Sequence, residues 1–120
     1  MNYKYKDLEH KNTLNKNFYL EKTGAVAGTF YDVVEMKIDD SQTFVLYLIT
    51  IDSISTNKEN IIIKIITGNT NQELHRIFLN TYSGVLVLPN PIPLNGHIKI
   101  QAASNSTSTF RVSLEGNYIS

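Results

Sequence analysis

The stretch "TFYDVVEMKIDDSQTFVLYLITI" (Thr29–Ile51) decides the fold class. In its first half Phe30, Val34, Met36 and Ile38 recur on one side of an extended chain, interrupted by Asp32, while Tyr31, Val33, Glu35 and Lys37 fall on the other. A period of two marks a half-buried strand, because successive side chains of a strand point to opposite faces. "DDSQ" is turn chemistry, and "TFVLYLITI" resumes with β-branched and aromatic residues. The two runs predict strands joined as a β-hairpin.

Downstream, "IIIKIITG" is apolar on both faces, with only Lys64 breaking the run. A strand of that kind is normally covered on both sides. In a two-layer sandwich one side meets the opposite sheet, and the other needs the N-terminal arm, a long loop or a second copy. An exposed Ile forfeits about 1.5–3 kcal/mol of burial. Ile61, Ile62, Ile63, Ile65 and Ile66 are therefore predicted oligomer contacts. "TNQELHRIFLN" fits two patterns: Thr70 and Glu73 have capping-box spacing, and the same residues alternate as a strand. The strand is favoured, because the rest of the chain reads as β.

"HIKIQAA" and "FRVSLEG" alternate cleanly and predict two strands with one wet face each. Between them and "VLVL" stand Pro89, Pro91 and Pro93. Each lacks a backbone donor, so this segment cannot be a central strand and is expected as an edge or, preferably, a stiff crossover. Its spacing is not that of a P-x-x-P ligand. Seven or eight strands punctuated by turns, with no helical period, predict an all-β antiparallel sandwich of jelly-roll or Greek-key type. It spans residues 18–120, preceded by an extended arm, residues 1–17, whose Tyr3, Tyr5 and Leu8 are candidate anchors on a neighbouring subunit.

Composition narrows the function. A chain of 120 residues is one domain. Eleven basic residues balance eleven acidic ones, so no net field favours nucleic acid or an anionic membrane. No apolar run approaches the length of a membrane span, and no secretory signal is read at the N-terminus. Synthesis in a cytoplasm is expected. Cysteine is absent, which removes disulfides and thiolate chemistry from this chain.

Catalytic groups do not assemble in the sequence. His10, His75 and His97 have no partners at informative spacing, and Asp32 and Glu35 fall on opposite faces of a regular strand. Gly24 and Gly28 lack the Lys-Ser/Thr of a phosphate loop. No enzyme, metal or cofactor is expected. The tyrosines carry one ligand hypothesis: Tyr31 and Tyr82 are candidate glycan contacts, set against core or subunit packing with hydroxyls at the edge.

In the last third, "PNPIPLNGHIKIQAASNSTSTFRVSLEGNYI" resembles the end of small bacteriophage virion domains, through Pro91, Pro93, Gly96, Ile98, Ile100, Ala102, Val112, Leu114, Gly116 and Ile119. The resemblance implies a jelly-roll sandwich in a tail, fibre, collar or head-decoration component. It also implies a non-enzymatic virion protein, working as a homo-oligomer, often a trimer, among other virion proteins. The alternative is a sandwich module that binds host-surface glycans.

Overall fold

A computed structural model describes residues 14–53, 60–80, 83–106 and 108–120. Eight strands make up the described chain: β1 (Leu14–Ala25), β2 (Tyr31–Lys37), β3 (Thr43–Ser53), β4 (Asn60–Thr67), β5 (Glu73–Asn80), β6 (Ser83–Leu94), β7 (His97–Ser104) and β8 (Ser108–Ile119). They form two four-stranded sheets, sheet A in the order β1-β8-β3-β6 and sheet B in the order β2-β7-β4-β5, with every pair antiparallel.

This order has a simple origin. β1 pairs with β8, β2 with β7, β3 with β6 and β4 with β5. The chain is thus one long ribbon, with the β4–β5 turn at its tip, rolled so that successive strand pairs fall in alternate sheets. Contacts of β3 with β8 and of β4 with β7 close the roll. The result is an eight-stranded jelly roll, and residues 73–80 are a strand, as favoured from sequence.

Alternation in the sequence becomes burial between the sheets. Phe44, Leu46, Ile49 and Ile51 of β3, Ile61, Ile63 and Ile65 of β4, Ile98 and Ile100 of β7, and Phe110, Val112 and Leu114 of β8 form the core. At one end Phe44 meets Phe18 and Tyr118, with ring centroids 5.8 and 5.1 Å away. Gly116 makes that cluster possible, because a Cβ there would lie 2.4 Å from both the Phe44 ring and the Val45 carbonyl oxygen.

Four expectations change. The predicted hairpin over 29–51 yields two strands that do not pair: β2 lies in sheet B and β3 in sheet A. The Asp39–Gln42 turn, closed by a 2.9 Å bond from the Gln42 amide to the Asp39 carbonyl, carries the chain from one sheet to the other. It lacks the Asn-Gly or Asp-Gly that a tight two-residue hairpin needs.

The prolines lie within β6, an edge strand beside β3, rather than in a crossover. An edge tolerates them because, among the described residues, one side of the strand has no partner to lose. The ladder also breaks there: Ile92 pairs with Leu46 and Val87 with Leu48, so Leu88, Pro89, Asn90 and Pro91 bulge opposite Tyr47.

Residues 14–17, assigned to the arm from sequence, are the first residues of β1, where Leu14 to Asn17 pair with Tyr118 to Glu115. Residues 1–13, with Tyr3, Tyr5, Leu8 and His10, lie outside the described residues, as does Tyr82.

Finally, Asp32 and Glu35 share a face. The β2–β7 register shifts between Asp32 and Val34, so an extra residue, Val33, inverts the pleat. Asp32 then stands opposite Gln101 and Glu35 opposite Lys99, both on the outer side.

Candidate functional site

Both sheets show an outer face to solvent, and each holds one strongly exposed aromatic ring among the described residues: Phe78 on sheet B, 67% exposed, and Tyr19 on sheet A, 58% exposed. Their surroundings differ in kind.

On sheet B the pleat sends Ile61, Ile63 and Ile65 inward, at 0% exposure, into the protein's own core. Of the five isoleucines predicted as contacts, Ile62 and Ile66 face outward. Ile66 is only 5% exposed, flanked in register by Glu73 of β5 and Lys99 of β7. Ile62 is half-buried and stands opposite Phe78. A bulge at Leu74, between Ile65 and Ile66 in register, puts that side chain at the surface of the same edge strand, 41% exposed. β5 contains no proline, and among the described residues no strand lies beside its outer backbone edge. Such an edge is a template for pairing.

Beside this apolar patch, Lys64 and Arg76 stand directly opposite one another, a like-charge pair that costs free energy in a sheet. Two arrangements offset it. The Lys64 ammonium lies 4.0 Å and the Arg76 guanidinium 5.8 Å from the centroid of the Phe30 ring. Arg76 also binds Glu73 through two parallel bonds of 2.7 and 3.0 Å, which hold the Glu73 carboxyl below its ordinary pKa.

Farther along the face, His97 joins three elements. Its Nε2 donates to the Glu35 carboxylate at 2.5 Å, and its Nδ1 meets the Asn69 side-chain amide at 2.7 Å. Gly68 lies flat beneath the ring, where a Cβ would collide with it, and its amide donates to the His97 carbonyl. The β4–β5 turn is thereby tied to β7 and β2, and the bond from His97 lowers the Glu35 pKa. Sequence spacing gave no sign of this pair, because Glu35 and His97 are 62 positions apart. Among the described residues no three His, Asp or Glu side chains converge as a metal site would require.

On the outer face of sheet A, polar side chains of β1, β8 and β3 are cross-linked. Arg111 of β8 donates to Glu21 of β1 at 2.7 Å and to Asp52 of β3 at 3.1 Å. The Ser113 hydroxyl donates to the Asn17 amide oxygen at 2.8 Å, and the Tyr47 hydroxyl to Glu115 at 2.7 Å. These bonds lower the pKa of Glu21, chiefly through Arg111, and of Glu115, chiefly through Tyr47. Tyr19 stands opposite Ser113, with its hydroxyl 3.2 Å from Glu21.

Of the tyrosines singled out from sequence, Tyr31 is on the inner side of β2, by the same bulge that moved Asp32. Its ring lies 6.5 Å from that of the buried Phe110 and 4.6 Å from the Lys22 ammonium, and its hydroxyl accepts from the Val26 amide. The exposed Tyr19 is on β1, which straddles the expected boundary between the arm (1–17) and the sandwich (18–120).

No family model matches the chain, and no curated protein matches it. Solved structures do. The chain is similar to a protein of the Bacillus endospore appendages, which form disulfide-linked pili (TM-score 0.60, 10% identity, covering 92% of this chain and 90% of that one). It is also similar to the capsid of the Helicobacter pylori bacteriophage KHP30 (TM-score 0.54, 9% identity, 92% and 93%). A third likeness is to the IBDV viral particle (TM-score 0.52, 12% identity), covering 88% of this chain but 31% of that one. At these identities the likeness is one of fold, a β-sandwich shared by capsid and pilus proteins. It extends over most of the chain, beyond the C-terminal third in which the sequence resemblance lies.

Proposed function

We propose that this chain is a non-enzymatic structural protein of a virus particle, a phage tail, fibre, collar or head-decoration component, and that it assembles as a homo-oligomer through the outer face and open edge of sheet B. The observation that carries the proposal is Phe78, 67% exposed opposite Ile62 on a proline-free edge strand whose outer side meets no other strand among the described residues. A large exposed ring on an open edge is a liability for a monomer and a natural contact for a copy. Glu73 and Arg76 supply both charge signs at the same edge, so a second copy meets complementary groups.

Neighbours of similar fold in capsids and pili support the structural reading. The absence of cysteine favours a capsid-like mode over a disulfide-linked one, because this chain carries no thiol with which to link to a neighbour. The closed unit is a trimer, as the resemblance of the C-terminal third implies, with residues 1–13 of one copy contacting the next or another virion protein. Mass spectrometry of purified particles tests the role: the protein is expected at a fixed stoichiometry in the particle, and its confinement to the soluble host fraction would overturn the proposal.

A further inference from the structure

We infer that the outer face of sheet A binds a neutral glycan, with the Tyr19 ring as stacking platform and Asn17, Glu21, Ser113 and Arg111 as partners for sugar hydroxyls. Tyr19 is 58% exposed, and its hydroxyl bond to Glu21, two residues along the same strand, lays the ring along β1. More than half of the residue is open to solvent, and the residues beside it, Ser113 in register and Glu21 by its hydroxyl, are hydrogen-bonding groups. The C–H face of a pyranose meets such a ring while its equatorial hydroxyls reach the flanking polar groups.

Those groups are positioned in advance. Arg111 is held between Glu21 and Asp52, and Ser113 fixes the Asn17 amide by its oxygen, leaving the amide nitrogen to donate. Exposed pairs of this kind contribute little to stability. What they do supply is side chains already ordered before a ligand arrives, which lowers the entropy lost on binding.

The charge pattern selects among sugars. Glu21, Asp52 and Glu115 face outward with one guanidinium, and that guanidinium is already paired twice. No uncommitted cation is left among these groups for a uronate or sulfate, so a neutral sugar fits and an acidic one is repelled. The contrast with sheet B is direct: there the exposed ring is a Phe beside an Ile, the chemistry of a protein contact. The two faces lie on opposite sides of the sandwich, so this inference is independent of assembly through Phe78.

Saturation-transfer difference NMR on the full chain, which works on monomer and assembly alike, provides the test. Maltotetraose, cellotetraose and chitotetraose serve as neutral probes and tetragalacturonate as the acidic one. At least one neutral probe is expected to bind with a dissociation constant of about 0.1–5 mM, and tetragalacturonate is expected not to bind. Tyr19→Ala should weaken binding about tenfold or more, with an unchanged circular dichroism spectrum, whereas Tyr19→Phe should stay within about threefold. Phe78→Ala should leave glycan binding unchanged. Silence of all neutral probes, tighter binding of the acidic one, or wild-type binding by Tyr19→Ala would overturn the inference.

Discussion

Replacing Phe78 by Ala separates a contact residue from a core residue. The ring is 67% exposed in the single chain. A Phe side chain offers roughly 200 Å², so roughly 130 Å² of it remains for a neighbour to cover. At about 25 cal/mol per Å², complete coverage is worth about 3 kcal/mol. Ala retains the Cβ, and ordering at an interface consumes part of the gain. A loss of about 2 kcal/mol per contact is expected, about a thirtyfold weaker association. Folding should barely respond, because an exposed side chain contributes within about 0.5–1 kcal/mol. The assay pairs sedimentation velocity across a dilution series with chemical unfolding of the same samples. Association weakened by about thirtyfold, with an unfolding midpoint near that of wild type, is the expected result. Unchanged association, or a loss of stability as large as a core truncation produces, would refute the placement of Phe78 on a contact surface.

Other substitutions test the fold and its electrostatics. Gly116→Ala places a Cβ 2.4 Å from the Val45 carbonyl oxygen, which is backbone and cannot rotate away, so a loss of about 1–3 kcal/mol or more is expected in thermal unfolding. Ile63→Ala, at 0% exposure in the core, should cost about 2–5 kcal/mol in urea unfolding, whereas Ile62→Ala should cost well under half of that. The carboxyls of Glu21, Glu35, Glu73 and Glu115 are all lowered in the folded protein by the hydrogen bonds they accept. Stability from a depressed carboxyl is present above its unfolded pKa and lost as pH falls through the folded one. Melting temperature should therefore hold through neutral pH and fall below about pH 4.3, with Glu35→Gln flattening part of the decline; a melting temperature unchanged down to about pH 3 would contradict these pairings.

Much of the fold was legible because a period of two is a strong local signal. β2, β3, β4, β7 and β8 all alternate, and their inward residues build the core. Pairing was harder to read. A local turn such as Asp39–Gln42 can close a hairpin or pass between sheets, and which it does depends on partners far along the chain, here β7 and β8. β1 was hidden for a different reason. As an edge strand it packs only Phe18 and Leu20 against the core, both partly buried, before the buried Ala25, so its apolar residues are too sparse to mark a strand and the run Asn15–Asn17 near its start is polar.

The candidate surfaces were obscured by bulges. One extra residue at Val33 turns Tyr31 inward and brings Asp32 to the side of Glu35; another at Tyr47 shifts the buried phase of β3 from Phe44 and Leu46 to Ile49 and Ile51. A strictly alternating reading misplaces every side chain beyond such a point. The isoleucine-rich β4 is apolar on both faces, yet its inner members serve the sandwich itself. The exposed partner of Ile62 is Phe78, from the segment whose secondary structure was the most ambiguous in the sequence.

Sedimentation velocity of the purified full chain at micromolar concentration tests the central claim of self-assembly most directly. A closed oligomer, expected as a trimer, that dissociates on dilution is the predicted result; a monomer at every concentration, with residues 1–13 present, would contradict it.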